Sequence, residues 1–191
     1  MSLKTHALKC TSVPLHLFNR GVDSNAIFRS DSDYIYWMEL MAEALPQFEV
    51  DLLLYSLMPN HYHVCLNQHK PFEASWYLKT ICERYARFFN RKYRRHGTLF
   101  AGRFHAKIVL DDVGLLRLSH YIHLNPVTAG LAAHPTDWRY SSCPAYLESG
   151  GNGLLDVEIL LNLVGGVEGY RIFLADYDPA DSMSIYRFLK D

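Results

Sequence analysis

The chain has 191 residues, 49% of them hydrophobic and 20% charged, with a net charge of −1. That suffices for one full core with a small appendage, and it argues against a globally basic nucleic-acid coat. No apolar run nears the ~20 residues of a membrane span, and the opening MSLKTHALKC lacks the apolar centre of a signal peptide. Cys10, Cys65, Cys82 and Cys143 form no CxxC pair, so free thiols in a reducing cytoplasm are expected.

VPLHLFNRG (13–21) reads as a strand closed by Asn-Arg-Gly, and DSDYIYWMELMAEALPQF (31–48) as a helix. The helix carries Tyr34, Met38, Met41, Leu45 and Phe48 on one stripe. VDLLLYSLM (50–58) is a buried strand, and Pro59-Asn60 turns the chain into a further strand over 61–67. There PNHYHV places His61 and His63 on one face, because side chains at i and i+2 of a strand point the same way. Such a pair serves either as surface side chains or as two metal ligands. Pro71 opens a long helix to about Tyr93, with Leu78, Ile81, Tyr85 and Phe88 or Phe89 inward.

From Arg84 to Lys107 there are eight Arg and Lys residues and no acid, which leaves the rest of the chain at −9. These are Arg84, Arg87, Arg91, Lys92, Arg94, Arg95, Arg103 and Lys107. A basic block in an acidic chain, interleaved with aromatics, points to a localised anionic partner or to a solvated helix end. RFHAKIVL (103–110) alternates, with Phe104, Ala106, Ile108 and Leu110 opposite Arg103, His105 and Lys107. A third helix starts at Asp111-Asp112 and is expected to stop near Asn125, before Pro126. The turn-rich WRYSSCPAYLESGGNG ends in a Gly-rich linker (150–153), and two short helices follow at about 155–164 and 167–176.

The order β-α-β-β-α-β-α predicts an α+β fold: a ferredoxin-like (RRM-like) βαββαβ core, a following helix and a small helical C-terminal extension. In such a fold one sheet face is left uncovered by the two crossover helices. Alternation assigns His16, Phe18, Arg20, His61, His63, Arg103, His105 and Lys107 to that face.

On the third helix, Leu115, Leu118 and Ile122 make a core stripe. Arg117, Tyr121 and Asn125 fall at i, i+4 and i+8 beside it. They are a small active site or merely a half-buried tyrosine with a helix-ending asparagine. If this stripe meets the histidine strand, His61, His63 and the Asn125 oxygen make three mixed N/O ligands suited to Mg²⁺ or Mn²⁺. Tyr121 would then be a nucleophile towards a phosphodiester. A phenol ordinarily titrates near pH 10 and needs a metal, a base or nearby cations such as Arg117 to attack.

Five stretches carry a resemblance: FNRGVDSNAIF (18–28), LMPNHYHV (57–64), YARFFNRKYRRHGTLFAGRFHAKIV (85–109), YIHLNPVTAG (121–130) and WRYSSCPAY (138–146). Together they resemble the single-tyrosine HUH transposases of small insertion sequences, in particular the REP-associated branch. The resemblance covers residues 13 to 146. It implies a ferredoxin-like core and a divalent cation (Mg²⁺ or Mn²⁺) held by His61, His63 and Asn125. It further implies attack by Tyr121 on single-stranded DNA through a covalent 5′-phosphotyrosine, with rejoining by another 3′-hydroxyl. The partner it implies is single-stranded DNA bearing a palindromic-repeat hairpin. Thr128 and His105 stand where that family usually or often has a basic residue.

The expectation is therefore an enzyme, a metal-dependent DNA transposase and single-strand endonuclease, with a transposase domain at 1–149 and a helical extension at 150–191. Arg84, Arg87, Arg91, Lys92, Arg94, Arg95, Arg103, Lys107, Arg117 and Arg20 are assigned to the DNA backbone, and Phe18 to base stacking. The alternative is a non-catalytic module that binds single strands or hairpins. A phosphoesterase using water as nucleophile ranks last, because the histidine strand carries H-x-H (61–63) in place of an H-x-T/S motif. The short connector ahead of the tyrosine helix favours a cis site in a cytoplasmic monomer, with a dimer as the alternative.

Overall fold

The computed structural model describes residues 6–148 and 153–176. Strict alternation in β1 (Pro14–Arg20) sends Leu15 and Leu17 into the core and His16 and Phe18 to the opposite face. Its neighbours are β3 (His61–Gln68) on one side and β4 (His105–Ile108) on the other, and β2 (Val50–Met58) lies outside β3. All pairings are antiparallel, in the order β2-β3-β1-β4. With α1 (Asp31–Ala44) and α2 (Glu73–Lys92) as the two crossovers, this is the expected ferredoxin-like sheet.

Both crossover helices cover one face. From α1 come Tyr34, Trp37, Leu40, Met41 and Ala44, and from α2 Tyr77, Leu78, Ile81, Tyr85 and Phe89, all buried against Leu15, Leu17, Tyr62 and Val64. The sequence stripe on α1 is thus rotated, since Trp37 and Leu40 face inward while Met38, Leu45 and Phe48 only flank the core. A bulky indole buries more apolar area than a flexible thioether, and it takes the central position. Of the two candidate phenylalanines on α2, Phe89 is buried and Phe88 packs on Tyr36 at 4.2 Å.

The second face is not wholly free. The tyrosine helix, α3 (Asp112–Thr128), lies across it with Leu115, Leu118 and Ile122 against Leu53, Leu54 and Cys65. A β-bulge in β2 between Leu52 and Leu54 breaks the alternation, so consecutive leucines both reach this second core. The short helices α4 (Cys143–Leu147), α5 (Glu158–Val164) and α6 (Val167–Ala175) complete it with Tyr146, Leu160, Tyr170 and Leu174.

Two boundaries differ from the sequence reading. Pro126 does not stop α3, because it sits in the last turn, where only one backbone bond is lost. The helix ends instead on Gly130 (φ 69°), with Leu131 N–H donating to the Pro126 carbonyl and Gly130 N–H to that of Val127. This is a Schellman cap. Strand β4 ends at Ile108, and Leu110, placed by alternation on one face with Phe104, Ala106 and Ile108, is 82% exposed. The two C-terminal helices fall where expected, α4 was not anticipated, and the linker residues 150–152 lie outside the described residues.

Candidate active site

Cross-strand register builds the site row by row. Phe18 sits between His63 on β3 and His105 on β4, His16 between Cys65 and Lys107, and Arg20 opposite His61. The expected face therefore assembles, with Phe18 stacked on His105 at 5.1 Å and on His16 at 4.8 Å. A cavity of about 750 Å³ opens over it, walled among others by Phe18, Arg20, His61, His63, Arg103 and Tyr121.

The two histidines of PNHYHV stand edge to face, their ring centroids 5.1 Å apart. His61 Nδ1 lies 2.7 Å from Asn60 Oδ1, and a carboxamide oxygen only accepts, so Nδ1 carries the proton and Nε2 the lone pair. Burial lowers the His61 pKa, partly opposed by its hydrogen bond to the Asn125 side chain. His63 is buried; that, and then the neighbouring His61 and His16 rings, keep its pKa well below the ordinary imidazole value. Its Nδ1 is 2.9 Å from His16 Nε2, while its Nε2 is buried with no hydrogen-bond partner among the described residues.

The tyrosine helix supplies the rest. Its N-cap Asp111 accepts from Gly114 N–H at 2.6 Å, and the leucine stripe fixes its roll on the sheet. Tyr121 is thereby brought edge-on to His63, with ring centroids 5.3 Å apart. One turn later Asn125 reaches His61. One turn earlier Arg117 is exposed. The stripe and the histidine strand do meet.

A buried ring nitrogen with no partner is costly unless something occupies it. The unpartnered His63 Nε2, the His61 imidazole and the Asn125 carboxamide form a mixed N/O donor set that fits a divalent cation. Among the described residues no three His, Cys, Asp or Glu side chains gather in such a group. The trio here has two imidazoles and takes its third donor from a carboxamide.

The basic block divides. Arg103 and Lys107 line the cavity together with Arg20. Arg84 pairs with Glu43 at 2.7 Å, and Lys92 with the fully buried Asp33 at 2.5 Å. Arg95 lies over the Phe89 ring at 5.7 Å. Burial raises the Asp33 pKa, but Lys92, the Arg29 backbone N–H and the Tyr93 hydroxyl outweigh it and hold the carboxyl below its usual value.

Two supporting residues, Asn19 and Asn60, escaped sequence reading, and a third, His16, makes a contact that it did not anticipate. Asn19 donates to the Gly102 carbonyl at 2.9 Å and pins the loop that presents Arg103. Asn60 orients His61. His16, placed on the face by alternation, contacts a candidate ligand directly. The adjacency of Asn60 to His61 and the alternation were visible, but which neighbour each side chain meets depends on register.

The profile described as "Transposase IS200 like" matches residues 9–125, from just ahead of β1 to Asn125. The chain belongs to the IS200-like transposase family. Among solved structures, a REP-associated tyrosine transposase bound to a REP hairpin is similar with a TM-score of 0.61 at 14% identity, covering 76% of this chain and 84% of that one. At that identity the likeness establishes a shared fold. A bacterial tRNA(His) guanylyltransferase-like protein in complex with GTP follows at TM-score 0.45 and 9% identity, covering 70% and 72%, too distant to carry an inference. No curated protein matches the chain by sequence at a significant level.

Proposed function

We propose that this family member nicks and rejoins single-stranded DNA at hairpin sites through a covalent 5′-phosphotyrosine. Tyr121 is the nucleophile, and His61, His63 and Asn125 hold Mg²⁺ or Mn²⁺. The observation that carries the reading is the meeting of Tyr121 with His63, ring centroids 5.3 Å apart, beside the hydrogen-bonded His61 and Asn125. Burial keeps both imidazoles neutral near pH 7, so their lone pairs are available to a cation. Bound there, the cation would polarise the phosphodiester and offset the charge that gathers on its oxygens.

The Tyr121 oxygen forms a bond to phosphorus as the bond to the 3′-oxygen breaks, and the departing oxygen takes up a proton as the phenol gives one up. Attack by a different 3′-hydroxyl reverses these steps and frees the tyrosine, so no high-energy cofactor is needed. Phe18 offers a ring on which a base can stack, and Arg20, Arg103 and Lys107 surround the cavity with cations for the backbone. Arg87, Arg91, Arg94, Arg95 and Arg117 extend that grip, whereas Arg84 and Lys92 would first have to leave Glu43 and Asp33. Hairpin binding by the similar structure supports a hairpin partner here.

Only residues 109–111 separate β4 from α3, and Tyr121 meets a histidine of its own chain. This supports a cis site in a monomer. Among the described residues no helix is long and apolar enough to cross a membrane, in keeping with a cytoplasmic enzyme. The transposase domain is assigned to residues 1–149 and the extension to 150–191, with α5 and α6 sharing the second core with α3.

The test is incubation with labelled single-stranded hairpin oligonucleotides and Mn²⁺ or Mg²⁺, followed by denaturing gels. A covalent adduct lost in Tyr121→Phe and abolished by chelator is expected. Cleavage that survives Tyr121→Phe would replace the tyrosine by water. Tight binding without cleavage on every hairpin would leave a binding module.

A further inference from the structure

His16 has no assigned role in the proposed chemistry, yet it is 1% exposed and lies against His63. Alternation in β1 turns it to the site face, in register with Cys65 and Lys107, and from there its ring reaches diagonally to His63. The two imidazoles lie within 19° of coplanar, centroids 5.1 Å apart, joined edge to edge by the 2.9 Å contact between His16 Nε2 and His63 Nδ1. At the far ends of the pair, His16 Nδ1 and His63 Nε2 are both buried without a partner among the described residues.

Proton counting leaves two arrangements. Two neutral imidazoles carry two N–H groups, and one of them fills the hydrogen bond between the rings. If His63 Nδ1–H donates to His16, the second proton sits on His16 Nδ1 and His63 Nε2 is a bare lone pair. If His16 Nε2–H donates instead, the second proton sits on His63 Nε2 and closes that nitrogen to a cation. Only the first arrangement produces a ligand, and an acceptor on the non-ligating nitrogen is what selects it.

We infer that His16 is a positioning residue: it accepts the Nδ1–H of His63, holds that ring in the tautomer whose Nε2 is bare, and thereby sets the affinity of the site for a divalent cation. This rests on the proposed cation site. The acceptor is a neutral imidazole rather than a carboxylate. It orients the ligand without adding a negative charge beside the phosphate that must enter the cavity.

The test uses the full chain without DNA. Mn²⁺ binding is titrated by the electron paramagnetic resonance of the free ion, and histidine tautomers are read by long-range ¹H–¹⁵N correlation. The wild-type protein should show the proton of His63 on Nδ1. His16→Leu should weaken Mn²⁺ binding about 10- to 100-fold with its thermal midpoint little changed, and His16→Gln, which keeps an acceptor, should restore most of it. A proton on His63 Nε2 in the metal-free wild type overturns the inference, even if His16→Leu does not fold. Equal Mn²⁺ affinity in wild type and folded His16→Leu also overturns it while leaving the cation site standing. Wild type that binds no Mn²⁺ removes the site itself, and the inference with it.

Discussion

Tyr170→Phe tests whether the C-terminal helices hold the tyrosine helix in place. His123 lies two residues beyond Tyr121, about 200° round α3, so it anchors the back of the helix whose front carries the proposed nucleophile. It is fully buried, and burial followed by its neighbour His120 lowers its pKa to about 3, so it is neutral at any working pH. Its Nε2 is 2.7 Å from Ser142 Oγ, which already donates to the Tyr55 carbonyl and accepts from the Tyr55 N–H. The serine is left to accept, so His123 carries its proton on Nε2 and its Nδ1 accepts from the Tyr170 hydroxyl at 2.7 Å. Removing that hydroxyl opens almost no cavity, but it strands a dry acceptor, which costs about 1–3 kcal/mol. Taking about 2 kcal/mol with a urea m-value of about 2 kcal/mol/M, the denaturation midpoint should fall by about 1 M. A midpoint unchanged within about 0.2 M would refute the tautomer assignment and the clamp built on it. So would a proton found on His123 Nδ1 by nitrogen NMR.

Asp33→Ala strands Lys92, the Tyr93 hydroxyl and two backbone N–H groups at the start of α1, and should cost about 3 kcal/mol in urea denaturation at pH 7. Because folding lowers the Asp33 pKa, its contribution is complete above the ordinary carboxylate range and lost as pH falls through the lowered folded value. Wild type should therefore lose stability on acidification more steeply than Asp33→Asn. Gly21→Ala would place a methyl 2.1 Å from the Asn25 carbonyl oxygen, so the turn leaving β1 must shift. A loss of about 1–3 kcal/mol is expected in thermal unfolding, with weaker hairpin binding because this turn borders the cavity. Arg103→Ala should lower the salt slope of hairpin binding by about 0.7–0.9 at little cost in stability, whereas Lys92→Ala should do the reverse. Equal slopes for the two variants and wild type would detach the cavity cations from DNA.

What could be read without coordinates was whatever depends on local periodicity. Alternation in LHLFNR and HYHV assigned each histidine to its face, and helical spacing put Arg117, Tyr121 and Asn125 on one stripe, as α3 confirms. Charge alone misled in one respect. Lys92 belongs to a run of cations in sequence, but its ammonium is engaged by an aspartate 59 residues away, a pairing that no pattern announces.

The step that makes a site of these parts is the return of α3 to the histidine face, and its cause lies in β2. Perfect alternation through VDLLLYSLM would send Leu52, Leu54 and Ser56 to one side and Leu53, Tyr55 and Leu57 to the other. The bulge after Leu52 reverses that parity, so Leu52, Tyr55 and Leu57 face the crossover helices while Leu53 and Leu54 both face α3. Two adjacent leucines beside Cys65 then form an apolar platform next to a polar row of histidines. On that platform Leu115, Leu118 and Ile122 fix the roll of α3, and the roll in turn points Tyr121 at His63. A run of three leucines looks uniformly buried in sequence and hides the bulge. The placement of the proposed nucleophile thus depends on an irregularity that hydrophobicity cannot reveal.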